Sequence, residues 1–242
     1  MVTRPIEPAD ALAEQLRTLG ADVVVQPAIR ISSPADWQPV DDALAHLQEY
    51  DWLVFSSANG VRYLFDRLRR RNIRPLWYPL LAAMGPGTAE ELAQFGRRAD
   101  LVPAQFRAES LADALTPEAA GKRFLLARAS RGRELLAERL TAVGAVVEQI
   151  VVYTSDDVDR PDPRAAAMLH AGEIDWITVT SSAIARSLAR LFGDDLRQAK
   201  LASISPITSG VLRELGHEPA AEAAEYTSAG LTAAIVEKIE GR

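Results

Sequence analysis

The side chains of this sequence that could do chemistry are hydroxyls and a phenol rather than thiols or paired imidazoles. Tyr153, in the run VVYTS, is the titratable side chain that stands out. A phenol can donate a proton or a hydrogen bond to a leaving hydroxyl; a packing tyrosine at a strand end is the competing reading. FSSANG at 55–60 and TSSA at 180–183 stand where a short apolar run gives way to a helical pattern. Ser56, Ser57, Ala58 and Asn59 in the first, and Thr180, Ser181 and Ser182 in the second, are small or hydroxylated. Such residues cap a helix and leave its first N–H groups to meet an anion. Gly85-Pro86-Gly87-Thr88 and Ser205-Pro206-Ile207-Thr208 follow the same logic, because Pro fits the first helical turn and Thr can cap or donate to a ligand. Ordinary capping explains any one of these loops. Matched pairs of them at the carboxyl ends of strands point further, since ligands of open α/β sheets bind at that edge. Arg4 and Arg128 follow matched apolar runs and are candidates to draw an anionic ligand in, with plain salt bridging as the alternative.

Several chemistries are excluded or disfavoured. The sequence has no cysteine, which removes disulfides, thiolate nucleophiles and cysteine metal sites. His46, His170 and His217 lie far apart with no ligand spacing, so no metal is expected. There is no G-x-G-x-x-G, no P-loop and no nucleophile elbow, and no cofactor is expected. The acidic pairs Asp41-Asp42 and Asp156-Asp157 fit helix starts and loops better than acid/base work, and the arginines at 67–71 fit a helix C-terminus. A net charge of -6 disfavours nucleic acid and anionic membranes as partners. No apolar run approaches the roughly 18 residues that span a bilayer, and the first residues lack a secretory apolar region. The protein is expected in the cytoplasm.

The elements that must position these residues are legible as alternation. Apolar runs at 22–25, 52–55, 80–84, 124–127, 146–153, 176–180 and 201–204 predict strands. Segments at 9–19, 60–70, 88–96, 134–143, 183–192 and 209–216 carry Leu and Ala at helical spacing. This order predicts an α/β fold of parallel sheets with helices on both faces. Gly20, Gly96, Gly144 and Gly216 each follow a helical pattern, as C-terminal capping glycines do. The chain, 242 residues and 48% hydrophobic, can form one large domain or two modest ones.

An internal repeat favours two. Arg4, Leu12, Glu14, Leu16, Gly20 and Ala21 match Arg128, Leu136, Glu138, Leu140, Gly144 and Ala145 at one constant spacing. VFSSANGV then resembles VTSSAIA, and AMGPGTAEEL resembles SISPITSGVL, with Pro86, Thr88, Gly96 and Leu111 meeting Pro206, Thr208, Gly216 and Leu231. The order is block A, block B, then a second A and a second B. Each A block runs on into an alternating segment, QPAIRIS at 26–32 and EQIVVYTS at 148–155, which are candidate connector strands.

VTRP at the start, then VFSSANGV, AMGPGTAEEL, VVYTS, VTSSA, SISPITSGVLRELG and TSAGLTAAI, resemble the uroporphyrinogen-III synthase family in order and over nearly the whole chain. Ser205 stands where the family usually has Gly, and Ser182 where it often has Pro. The resemblance implies two Rossmann/flavodoxin-like domains joined by a two-stranded β connector, with the chain crossing over after the first A block. One domain would then comprise 1–26 plus 158–242 and the other 35–147, with connectors at 27–34 and 148–157. It implies hydroxymethylbilane, a polyanionic linear tetrapyrrole, as substrate. That substrate loses water to give an azafulvene and closes through a spiro intermediate with its terminal ring inverted. Tyr153 would assist departure of the hydroxyl. Thr3, Arg4, Ser56, Ser57, Ala58, Asn59, Gly85, Pro86, Thr88, Arg128, Thr180, Ser181, Ser182, Ser205, Pro206 and Thr208 would hold the substrate. A monomer receiving the bilane by transient hand-over from the upstream bilane synthase is expected. The alternatives are a non-catalytic two-lobed ligand-binding protein and an inactive synthase-like domain of a tetrapyrrole-pathway assembly.

Overall fold

The computed structural model describes residues 1–5, 11–73 and 79–241. Its helices and strands run α1 (Ala11–Thr18), β1 (Ile29–Ser32), α2 (Gln38–Ala45), β2 (Trp52–Phe55), α3 (Ala58–Arg70), β3 (Leu80–Ala83), α4 (Pro86–Gln94), α5 (Ala108–Leu115), β4 (Arg123–Ala129) and α6 (Leu135–Ala142). They continue with β5 (Val146–Asp157), α7 (Pro163–His170), β6 (Trp176–Val179), α8 (Ser182–Phe192), β7 (Lys200–Ser203), α9 (Pro206–Glu214), β8 (Ala221–Glu222) and α10 (Ser228–Glu240). The chain divides into two compact units, Met1–Ile31 with Asp156–Arg242, and Ser32–Ser155.

Parallel sheets with helical cover are present, as the alternation predicts. One sheet has the order β1-β5-β4-β2-β3, and Leu101 adds a bridge beside Ala82 of β3. The other has the order β6-β7-β8. Val2 is bridged to Thr178 of β6 on one side and to Val25 on the other. The apolar run at 22–25 therefore contributes a single bridge rather than a strand; Val25 is 36% exposed, so the run lies at an open edge. In the discontinuous unit the order Val25, Val2, β6, β7, β8 is second, first, third, fourth, fifth along that unit. In the other unit, taking β4 as first and β5 as second, the order β5, β4, β2, β3, Leu101 is the same. This is the flavodoxin-like order, with its switch point between the first and third strands. The shared order explains how a tandem repeat becomes two like folds: the first A block pairs with the second B, and the second A with the first B.

Both faces of each sheet are packed, which is why the strands read as apolar runs rather than alternating ones. In the continuous unit Val54, Phe124 and Leu126 face α5 and α6, meeting Leu111, Leu115, Leu136 and Leu140. Phe55, on the opposite face, meets Phe65 of α3 with ring centroids 6.1 Å apart. In the discontinuous unit Ile177 and Val179 pack with Leu169, Leu188 and Leu212, while Val2 and Ala202 pack with Leu12, Leu231 and Ile235. Fully burying each of the Val, Leu, Ile and Phe side chains among them contributes about 1.5–3 kcal/mol.

The four capping glycines end their helices in one way. Each has positive φ, from 69° at Gly96 to 87° at Gly20. The residue after each donates back to a leucine carbonyl one turn earlier: Ala21 to Leu16, Arg97 to Leu92, Ala145 to Leu140 and His217 to Leu212. This is the Schellman arrangement, in which the left-handed residue is best supplied by glycine.

Candidate functional site

Tyr153 reaches its position through an irregularity in β5. The pairing of β4 with β5 runs Ala127 to Ile150 and Arg128 to Val151, then jumps to Ala129 opposite Tyr153. Val152 is the extra residue of a β-bulge. Because side chains alternate along a strand, one inserted residue moves everything after it to the other face. Tyr153 thereby shares the face of Ala127 and Leu125, the side on which α3 packs, instead of the side of Val151. The backbone holds this turn: Ser130 N–H donates to Tyr153 O at 2.9 Å, and Ser155 N–H donates to Ser130 Oγ at 3.1 Å.

On that face the phenol meets α3. Tyr153 OH and Ser57 Oγ lie 3.0 Å apart, and the Tyr153 ring stacks on Tyr63 at 5.8 Å between centroids. Only 7% of Tyr153 is exposed. Burial, reinforced by Tyr63, raises its pKa above the ordinary value of 10.0, while the hydrogen bond to Ser57 works in the opposite direction. At neutral pH it is a neutral acid. The phenol lies at the carboxyl ends of β4 and β2, the first and third strands of the unit, which is the switch point of this fold.

The helix starts occupy the same sheet edges. Ser57 is the N-cap of α3 and its Oγ accepts from Gly60 N–H at 3.1 Å; Ser181 does the same for α8, accepting from Ile184 N–H at 3.2 Å. Helix geometry leaves the N–H groups of Ala58 and Asn59, and of Ser182 and Ala183, without intrahelical acceptors. At α4 and α9 the caps are Gly85 and Ser205, and Pro86 and Pro206 contribute no N–H. Each of those two starts leaves one such amide, Gly87 and Ile207. The FSSANG and TSSA loops therefore leave more first-turn amides without an intrahelical acceptor than the other two. Asn59 Oδ1 accepts from Arg62, whose guanidinium also bridges to Glu91 of α4 at 2.9 Å. Gly85 packs against Phe106: a Cβ there would lie 3.1 Å from the Phe106 Cβ, so Phe106 would have to give by a few tenths of an ångström to admit a side chain.

Ser56 is exposed and Thr180 half-buried beside their capping serines. Thr88 and Thr208 are buried in the first turns of α4 and α9, and Thr208 Oγ1 lies 3.2 Å from Ser205 Oγ. Thr3 is fully buried, and its hydroxyl donates to Thr178 O at 2.5 Å, tying the first strand to β6. Arg4 donates to Ser228 Oγ at 3.4 Å, at the start of α10. Arg128 is paired with Glu134 and also donates to Gln149 at 2.6 Å. The continuous unit thus brings Ser57, Asn59 and Tyr153 to one sheet edge, and the discontinuous unit brings Thr180, Ser181 and Arg4 to its own. Sequence reasoning missed Tyr63, whose signal is its place in the second turn of the helix that FSSANG starts. It also missed Ser228, which sits in the motif TSAGLTAAI.

The comparisons with known proteins extend over nearly the whole chain. The family model described as uroporphyrinogen-III synthase HemD matches residues 10–233. The uroporphyrinogen-III synthase of Synechococcus elongatus is 33% identical, over 97% of this chain and 93% of that protein. The Escherichia coli enzyme of the same name is 30% identical, over 89% and 91%. A crystal structure of a mutant uroporphyrinogen III synthase from the extremely thermophilic bacterium Thermus thermophilus superposes with TM-score 0.66 at 19% identity, covering 96% of this chain and 95% of that one. At that identity the superposition supports the fold alone. The family model, spanning nearly the whole chain, and the full-length relatives establish that this chain belongs to the uroporphyrinogen-III synthase family.

Proposed function

We propose that the chain closes hydroxymethylbilane into uroporphyrinogen III, with Tyr153 as the proton donor to the leaving hydroxyl. The observation that carries the residue assignment is the buried, neutral phenol at the switch point, 3.0 Å from the cap of α3. Donation of the Tyr153 proton releases water and leaves a phenolate beside an azafulvene that still carries its ring N–H proton. The far pyrrole ring attacks it through its substituted carbon, the spiro intermediate fragments, and the ring recloses inverted. The proton lost from the closing ring carbon restores the phenol. The bilane is already primed to close, so the protein's larger task is positioning, which excludes closure without inversion.

The amides of Ala58, Asn59, Ser182 and Ala183 are suited to carboxylates, because each couples a free N–H to a helix N-terminus. The hydroxyls of Ser56 and Thr180 are placed to add to them. Thr3, Thr88, Thr208 and Arg128 fit better as residues that shape these loops, since their polar groups are buried or already engaged. The reading includes domains over 1–26 plus 158–242 and over 35–147 with connectors at 27–34 and 148–157, a cytoplasmic monomer, and hand-over from the bilane synthase.

The test generates the bilane in situ with its synthase, adds this protein, oxidises the products and separates the isomers. Predominantly type III porphyrin is expected; type I alone would overturn the proposal.

A further inference from the structure

Ser57 does two things at once. Its Oγ accepts the Gly60 N–H at 3.1 Å and lies 3.0 Å from the Tyr153 hydroxyl. With a lone pair committed to Gly60, the hydroxyl still has its own proton to give. When Tyr153 releases its proton, the phenolate can only accept, so Ser57 becomes the donor. The donor chain then runs from the amide end of α3, a helix of 13 residues, through Ser57 to the phenolate oxygen. Its positive end favours the anion. Close approach is required for this. A Cβ on Gly60 would lie 3.2 Å from Ala127 O and 3.5 Å from Ser57 Oγ, so glycine lets the first turn of α3 sit against the end of β4. The other unit provides an internal contrast: Ser181 caps α8 in the same way, yet its connector segment, QPAIRIS, contains no tyrosine.

We infer that Ser57 is the positioning residue that sets the acidity of Tyr153, coupling its phenolate to the N-terminus of α3. The inference rests on the reading of Tyr153 as proton donor, and its test is separable from that reading. Tyr63 of α3, stacked on the ring, is the titratable neighbour that bears on the phenol, and it acts against ionisation.

The experiment places 3,5-difluorotyrosine, whose phenol titrates near neutrality, at position 153 of the full chain and follows ionisation by fluorine NMR. Three backgrounds are compared: Ser57, Ser57→Gly and Ser57→Thr. Glycine is a tolerable N-cap, costing only a few tenths of a kcal/mol, but it lacks the hydroxyl; threonine keeps both functions. Ser57→Gly should raise the pKa of the phenol by about one unit, and Ser57→Thr should restore it. Ser181→Gly should leave it unmoved. With the native tyrosine, Ser57→Gly should lower kcat about tenfold at unchanged KM, following the acidity of the donor. An unmoved titration in Ser57→Gly overturns the inference, whatever happens to turnover. A moved titration with unchanged kcat keeps the coupling and removes Tyr153 from the reaction.

Discussion

At the scale of single residues, the proposed chemistry turns on Tyr153 remaining protonated until it is needed. Burial is the principal cause of its raised pKa, so the acid form persists through neutral pH and above. Tyr153→Phe keeps the ring and its stack on Tyr63 but removes the proton, and turnover should fall roughly 100-fold. Steady-state assay with in situ bilane checks this, and near-normal turnover would take the role from Tyr153. The sign of the pH dependence follows from the same shift. A rate that needs the protonated phenol is flat at neutrality and is lost as pH rises through the raised pKa, so the alkaline limb should lie above pH 10.0. A limb well below that value would point to another group. The phenol was legible in the sequence because VVYTS isolates one tyrosine in a connector-like run. Its partner was not, because Ser57 reads equally well as an ordinary cap, and only the fold brings it to the phenol.

Among the elements, the caps and the interhelical ion pairs hold the sheet edge in place. Arg67 grips Asp41 through two guanidinium nitrogens, joining α3 to α2, and Trp37 stacks beneath the guanidinium at 4.9 Å. Arg133, just before α6, makes a similar pair with Glu109 of α5. That hydrogen bond holds the Glu109 carboxyl down at about 2. A depressed folded-state pKa stabilises the protein above the unfolded value of 4.5 and loses that contribution as pH falls towards 2. With Arg133 47% exposed, solvent screening limits the contribution to about 1 kcal/mol. Urea unfolding of wild type and Arg133→Gln should therefore differ by that amount near neutrality and converge at acid pH. A difference independent of pH would show that the pair contributes through packing instead. The pairing of Arg133 with Glu109 could not be read from the sequence, because it joins two helices through a turn whose path the sequence leaves open.

At the scale of the molecule, continuity of the chain separates the two units. Ser32–Ser155 is unbroken and holds a core of its own, so a fragment covering it should fold alone, with mixed α/β circular dichroism and a cooperative urea transition. The piece from 156 onwards lacks Val2, which bridges to Thr178 of β6. By itself it should stay largely unfolded, and recovery of structure on adding a peptide of the first 31 residues would support this. A cooperatively folded 156–242 fragment would contradict it. The sequence by itself determined the α/β alternation, the duplicated blocks, the capping glycines and the four helix starts. These are local: each follows from hydrophobic period, φ preference or cap chemistry within a few residues. Only the tertiary structure decided which blocks pair, which hydroxyls are spent inside, as at Thr3, and which way Tyr153 points. The bulge at Val152 shows why. Strict alternation along β5 would put Tyr153 on the same face as Val151, away from α3. The register slip that turns it toward Ser57 is a property of two paired strands, and no single run of residues contains it.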